Sequence, residues 1–298
     1  MDSYPVIEIP ADAKEDTEQL GSKPKFWITH CGERWLYKAA RPGTGEDWSE
    51  KVAAEIAAYL EIPAAKVDLA SYGGQRGCIL LNFVDVGAGE ALIHGNEILP
   101  LVVTDYDRSK RFSQSDHTIH NIVASVVQTS QLFDIDAVPI IRDMAAYMVL
   151  DALIGNTDRH HENWGLLAKP GVDGEHVVLT AAPSFDHASS LGRELRGERA
   201  AALLAQSRVP SYVRKGRGGI YRDDKDGKGE NPLRLAIFAS KVYSSFFSDI
   251  MIRVEDLTDQ AIRGIMDRIP DSRIEESSRE FAAAMIRFSR DQLIEASS

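Results

Sequence analysis

The stretch Asp151–Gly165, "DALIGNTDRHHENWG", sets Asp158 and Asn163 five positions apart with His160 between them, behind an apolar run that stops at Gly155. Side chains of these types can serve as a metal cluster, a phosphate-transfer loop or a polar turn. The spacing Asp-x4-Asn alone does not choose among the three. A second segment, "APSFDHASSLG", supplies Asp186. If "WGLLA" and "HVVLT" are strands joined by the turn "KPGVDG", Asn163 and Asp186 end side by side at one end of a hairpin. An amide oxygen and a carboxylate without a soft ligand suit Mg²⁺, which shares its shell with phosphates and water. Asp158 then faces the third substrate as a base or orienting group, which is the pattern of phosphoryl transfer.

That chemistry also needs a cation on the nucleotide phosphates, commonly a strand lysine held by a helix glutamate. Lys38 lies on an expected strand, and the following helix carries Glu50 and Glu55. Glu55 flanks the apolar stripe of Val52, Ile56 and Tyr59 and is expected to face the sheet, whereas Asp47-x-x-Glu50 resembles a capping box. A solvated strand lysine is the bland alternative for Lys38. Zinc ligation by His160, His161 and His187 is disfavoured, because adjacent histidines point to opposite sides and no H-E-x-x-H is present. His160 is expected to orient the loop through backbone hydrogen bonds, and His161 and Glu162 to be exposed. No G-x-G-x-x-G, Walker or G-x-S-x-G motif occurs. Gly32, Gly43 and Gly45 remain as weak candidates for a phosphate loop, since turns need glycine anyway.

The elements that must position these residues fall into two blocks. Residues 1–24 read as an acidic, extended or mobile arm, and residues 25–107 as a β-rich lobe with one helix ending before Pro63. Within that lobe, "KFWITHCGERWLYKAA" reads as a hairpin, residues 66–85 as a second strand pair, and residues 90–104 as a third with a turn near Gly95-Asn96. Residues 108–298 read as a larger helical lobe. It opens with two buried helices, continues into the polar-ended hairpin, and carries a charged, Gly-rich surface loop over about 206–231. Three helical segments follow, near 232–251, 255–268 and 274–296.

Composition limits the partners. The chain has 298 residues and a formal net charge of −11, which argues against general nucleic-acid binding. Its two cysteines form no CxxC pattern, and neither a signal peptide nor a long apolar span is visible. The expected compartment is the cytoplasm, with export as an effector left open.

The segments "LIGNTDRHHENWG" and "PSFDHASSLG" resemble the HipA-like serine/threonine kinases, the toxin kinases of bacterial toxin–antitoxin systems. The resemblance runs from about Lys25 to the C-terminal helices and is most specific at N-T-D-x-H-x-x-N and F-D-x-x-x-S-L. It implies an α+β, bilobal protein-kinase-like fold with a small β-rich N-lobe and a larger, mainly helical C-lobe. It further implies Asp158 as base, Asn163 and Asp186 as Mg²⁺ ligands, and Lys38 on the ATP phosphates. The hinge beside adenine would lie at Asn82, Phe83, Val84 and Asp85. Full-length members carry an extra N-terminal subdomain where this sequence reads only as a short arm, so the chain resembles the compact or split members, in which that subdomain is absent or separate. The serine-containing Gly-rich loop of the toxin members is not recognised in the sequence.

The function these residues and this resemblance imply is an ATP- and Mg²⁺-dependent kinase acting on a hydroxyl, expected to be Ser/Thr of a protein substrate. An antitoxin or small companion subunit is an implied partner. A phosphoinositide or small-molecule kinase is the alternative, with Arg208, Arg214, Lys215 and Arg217 as an anionic-headgroup entrance. A nucleotide-binding pseudokinase or partner-binding module is the third.

Overall fold

Alternation of large apolar residues with polar ones builds the first lobe. In the computed structural model, which describes residues 2–16, 24–172, 174 and 176–297, β1 (Val6–Ile9), β2 (Lys25–His30) and β3 (Glu33–Ala39) precede helix α1 (Glu46–Tyr59). Strands β4 (Val67–Tyr72) and β5 (Gln75–Leu81) complete a five-stranded sheet of order β1-β4-β5-β3-β2. Both hairpins close through two-residue loops with positive φ, Cys31-Gly32 at 52° and 80° and Gly73-Gly74 at 55° and 78°. Such turns match the right-handed strand twist. Trp35, Tyr37 and Ala39 of β3 bury one face with Phe26, Ile28 and Ile79. Lys38 therefore emerges on the opposite face, paired in register with Cys78 and turned towards α1.

The arm is more than an arm. Val6–Ile9 pair in parallel with Leu69–Tyr72, Tyr4 and Ile9 are buried, and Trp27 exchanges backbone hydrogen bonds with Glu15 and Asp16. This pairing partner lies some sixty residues away, out of reach of local pattern. The remainder of the arm, residues 17–23, lies outside the described residues.

The expected third strand pair is also corrected. β6 (Ala91–His94) is a single strand, followed by a short helix α2 (Gly95–Ile98) and a 3₁₀ turn at Leu99–Leu101. It joins the hairpin of β7 (Gly165–Pro170) and β8 (Val177–Ala181) as a three-stranded antiparallel sheet.

Helices α3 (Ile119–Leu132) and α4 (Val138–Ile154) centre the second lobe. α4 is buried on nearly all sides and packs against α7 (Pro232–Val242), α8 (Ser244–Glu255) and α10 (Glu276–Ser297). The first of the three expected C-terminal segments breaks at Tyr243, so that four helices form, with α9 (Asp259–Asp267) between α8 and α10. α5 (Gly197–Ala205) was not expected from the sequence. The stretch 206–231 is not a surface insert: it contains α6 (Val209–Lys215) and buries Ile220 and Tyr221. No helix among the described residues is long and apolar enough to cross a membrane.

Candidate active site

Gly155 ends α4 in the left-handed conformation at φ 65°, and the chain turns at once into a loop pinned by its own side chains. Asn156 Nδ2 donates to Asp151 Oδ1 at 2.8 Å, and Asn156 Oδ1 accepts from the Asp158 amide at 3.0 Å. The Asp158 carbonyl accepts from His160 N and, at 2.8 Å, from Asn163 Nδ2. That bond fixes the Asn163 amide so that Oδ1, the oxygen donor, faces away from it. His160 Nδ1 accepts from the Glu162 amide at 3.2 Å, which is the orienting contact expected of it.

His161 and Glu162 depart from expectation. His161 is buried and lies 2.6 Å from the Tyr106 hydroxyl, under a loop whose approach local pattern does not reveal. Glu162 is half-buried and paired with Arg111.

Across the hairpin, Asp186 takes a left-handed backbone at φ 62°. Its Oδ1 accepts from Lys38 Nζ at 3.0 Å, which joins the two lobes. Burial would lower the Lys38 pKa, but the Asp186 and Glu50 carboxylates outweigh it and hold the ammonium charged above its ordinary range. Burial raises Asp158 above the usual carboxylate range; His160 opposes the rise and the Asp186 charge reinforces it.

Arg159 ties these loops together. It makes a buried bidentate pair with Asp151 and donates to the carbonyls of Asn163 at 2.6 Å and Phe185 at 3.2 Å, and to Ser184 Oγ at 2.9 Å. Ser184 Oγ lies 2.7 Å from His187 Nε2, and the His187 amide donates to Glu50 Oε1 at 2.8 Å. The network thus runs from α1 to the Asp158 loop.

Glu50, not Glu55, is the helix carboxylate on the Lys38 side. α1 begins at Glu46 with Gly45 as cap, which draws Asp47 and Glu50 into the helix body instead of a capping box. Glu50 is fully buried on the face of Ala54, and Lys38 and His187 hold its pKa down against burial. Glu55 points elsewhere: it accepts from the Tyr4 hydroxyl at 3.0 Å and pairs with Lys51 at 2.7 Å. It shares its side of the helix with Tyr59, which is 45% exposed. The signal for Glu50 was present in the sequence, since Glu50, Ala53, Ala54 and Ala57 form a narrow small-residue face.

The linker after β5 lies beside this site. Phe83 packs 5.7 Å from Phe185, the residue before Asp186, and both rest on Ala54, Ala65, Val67, Cys78 and Leu80. Asn82 Nδ2 donates to the Val84 carbonyl at 2.7 Å and its Oδ1 accepts from the Val84 amide at 3.2 Å, while the Asp85 amide donates to Glu90. Of the glycines considered as weak candidates for a phosphate loop, Gly45 is committed within the protein. The Gly45 amide donates to the Arg193 carbonyl, and a Cβ on Gly45 would strike the Trp48 ring. Glu46 and Asp47 place two carboxylates in the first turn of α1, where negative charge is favoured by the helix dipole.

The donor set fits an oxygen-preferring ion. Among the described residues, no group of three or more His, Cys, Asp or Glu side chains gathers to hold a metal. His160, His161 and His187 each commit one ring nitrogen to the protein through these contacts. An amide oxygen from Asn163 and a carboxylate from Asp186 suit Mg²⁺ completed by phosphate and water. The residues considered as a basic entrance for an anionic headgroup are exposed, and three of them have partners within the protein. Arg214 stacks over Phe288, Arg217 pairs with Glu230 and Arg208 contacts Gln206.

Comparison with known proteins bears on the family and the fold. A family model described as the HipA-like C-terminal domain matches residues 18–222. No curated protein matches the chain. Among solved structures, the Helicobacter pylori proinflammatory kinase CtkA overlays with a TM-score of 0.76 at 18% identity, covering 98% of this chain and 98% of its own. HipA of Shewanella oneidensis, solved with HipB and operator DNA, overlays more loosely, with a TM-score of 0.49 at 15% identity. That match covers 94% of this chain and 64% of HipA. An aminoglycoside phosphotransferase matches at 11% identity and a TM-score of 0.30, over 93% of this chain and 95% of its own. Two lobes that share the CtkA fold end to end, and a family model spanning more than half the residues, establish that this chain belongs to the HipA-like C-terminal domain family and has a bilobal, kinase-like phosphotransferase fold.

Proposed function

We propose that the protein is an ATP- and Mg²⁺-dependent kinase that transfers the γ-phosphoryl group of ATP to a serine or threonine hydroxyl of a protein. The observation that carries this reading is the convergence of Lys38, Asp186 and Asp158 where the lobes meet. Lys38 is a charged donor for the nucleotide phosphates, held by carboxylates from both lobes. Asp158, with a raised pKa and a fixed backbone, accepts the proton of the acceptor hydroxyl. Asn163 and Asp186 would hold Mg²⁺, which when bound neutralises charge on the phosphates. Phe83, Phe185 and the apolar patch beneath them offer an apolar surface for a base, beside the linker at Asn82–Asp85.

The test separates chemistry from binding. Asp158→Ala should abolish transfer from labelled ATP to a Ser/Thr peptide pool while calorimetry still registers nucleotide. Asp186→Ala should lose Mg²⁺-ATP binding as well. Undiminished labelling by Asp158→Ala would refute the assignment of the base.

A further inference from the structure

The backbone of Asp158 is held on several sides, but its carboxylate is not. Among the described residues, the one hydrogen bond to that carboxylate comes from Ser189 Oγ, which donates to Oδ2 at 3.3 Å. Ser189 is itself well anchored. Its carbonyl accepts from the Thr157 amide at 3.2 Å and from Thr157 Oγ1 at 3.4 Å, and two residues later the Leu191 amide donates to the Ile154 carbonyl at 2.9 Å. The segment Asp186–Leu191, which begins and ends on left-handed residues at φ 62° and 56°, therefore runs alongside residues 154–158. The ladder places a hydroxyl, half-buried and short-stemmed, directly against the carboxylate proposed to act as base.

We infer that Ser189 is a positioning residue for Asp158: its hydroxyl engages Oδ2, sets the rotation of the carboxylate, and leaves Oδ1 to receive the acceptor hydroxyl. The inference rests on the proposed role of Asp158 as base. A carboxylate that can rotate spends much of its time misaligned, and proton acceptance in the transition state demands hydrogen-bond geometry with the acceptor. A neutral hydroxyl suits this task better than a cation would, since it orients the carboxylate without adding a full positive charge beside it. Ser189 also lies three residues beyond Asp186, so one short segment supplies both the oxygen ligand and the constraint on the base.

Steady-state turnover with Mg²⁺-ATP and a Ser/Thr peptide pool, alongside calorimetry with ADP, tests this in wild type, Ser189→Ala, Ser189→Thr and Asp158→Asn. Loss of a hydrogen bond to a charged group predicts that Ser189→Ala lowers kcat by about ten- to a hundredfold, with KM for ATP and ADP affinity unchanged. Ser189→Thr, which keeps the hydroxyl, should restore most of kcat. Wild-type kcat in Ser189→Ala would overturn the inference while leaving the base assignment intact. So would a parallel loss of ADP affinity, which marks a merely structural role. Wild-type kcat in Asp158→Asn would remove the base assignment and the inference with it.

Discussion

Asp151 Oδ1 and Oδ2 each accept a 2.8 Å hydrogen bond from Arg159, and both partners are buried beneath the loop that carries Asp158. The pair is the root of the network, because the other guanidinium contacts reach Asn163, Phe185 and Ser184. Asp151→Ala would leave the Arg159 charge without its counter-ion in a dry site. A loss of about 3–5 kcal/mol in unfolding free energy is expected, as for other broken buried pairs. Urea unfolding followed by circular dichroism measures it, and a change under about 1 kcal/mol would show that water reaches the pair.

The two glutamates of α1 should behave oppositely. Glu50→Gln removes a buried charge that supports Lys38, and kcat/KM for ATP is expected to fall by at least about tenfold, the equivalent of ~1.4 kcal/mol. Glu55→Gln alters only a partly exposed pair with Lys51 and a contact to Tyr4, so activity should stay within about twofold and stability within about 1 kcal/mol. ATP titrations of both variants decide it. Equal losses would contradict the placement of Glu50.

Stability should depend on pH through two buried imidazoles. His117 accepts from Trp164 Nε1 through Nε2 at 2.9 Å while its Nδ1 lies 2.8 Å from the Gly219 carbonyl, an arrangement that uses the neutral ring. Burial pushes its pKa down to about 3 and that of His161 down to about 4. The unfolded chain binds these protons near pH 6.5 and the folded chain does not, so stability is complete above that value and drains away as pH falls. The expected slope below pH 6.5 approaches 1.4 kcal/mol per pH unit for each histidine. Unfolding curves from pH 7.5 to 5 give the slope, and His117→Gln should flatten it.

Gly95 starts α2 where the backbone meets the Asp158 loop from behind, its amide donating to the Trp164 carbonyl at 3.0 Å. A Cβ there would overlap the Trp164 ring and lie 2.7 Å from the His161 carbonyl. Gly95→Ala should therefore cost about 1–3 kcal/mol by overpacking. Thermal unfolding would reveal it, and an unshifted midpoint would mean that the Trp164 ring yields freely.

What was legible in the sequence follows from the range of the interactions. Asp158, Asn163 and Asp186 sit on a helix end and a hairpin, both local patterns, and Lys38 follows from alternation along one strand. The structure places Lys38 and Asp186 in contact across 148 positions of sequence. Glu50 reads as a capping residue because placing the cap at Asp47 instead of Gly45, two residues late, turns a buried ion-pair residue into part of a capping box. The pairing of β1 with β4, the docking of β6 on β7 and the burial of His161 under Tyr106 depend on partners far away in the chain. Arg159 and Ser189 carried no periodic signal at all; their significance appears only once the two loops lie side by side.

Helix α1 is wedged between the sheet and the second lobe, and its first turn is bolted down. Glu46 pairs with Arg193, and the fully buried Asp47 is gripped by Arg76 and by Arg273 at 2.9 Å. Swinging that helix outward would strand several charges in an apolar interior at once. A helix fastened this way makes Glu50 a fixed part of the wall beside Lys38, set in position by the fold itself.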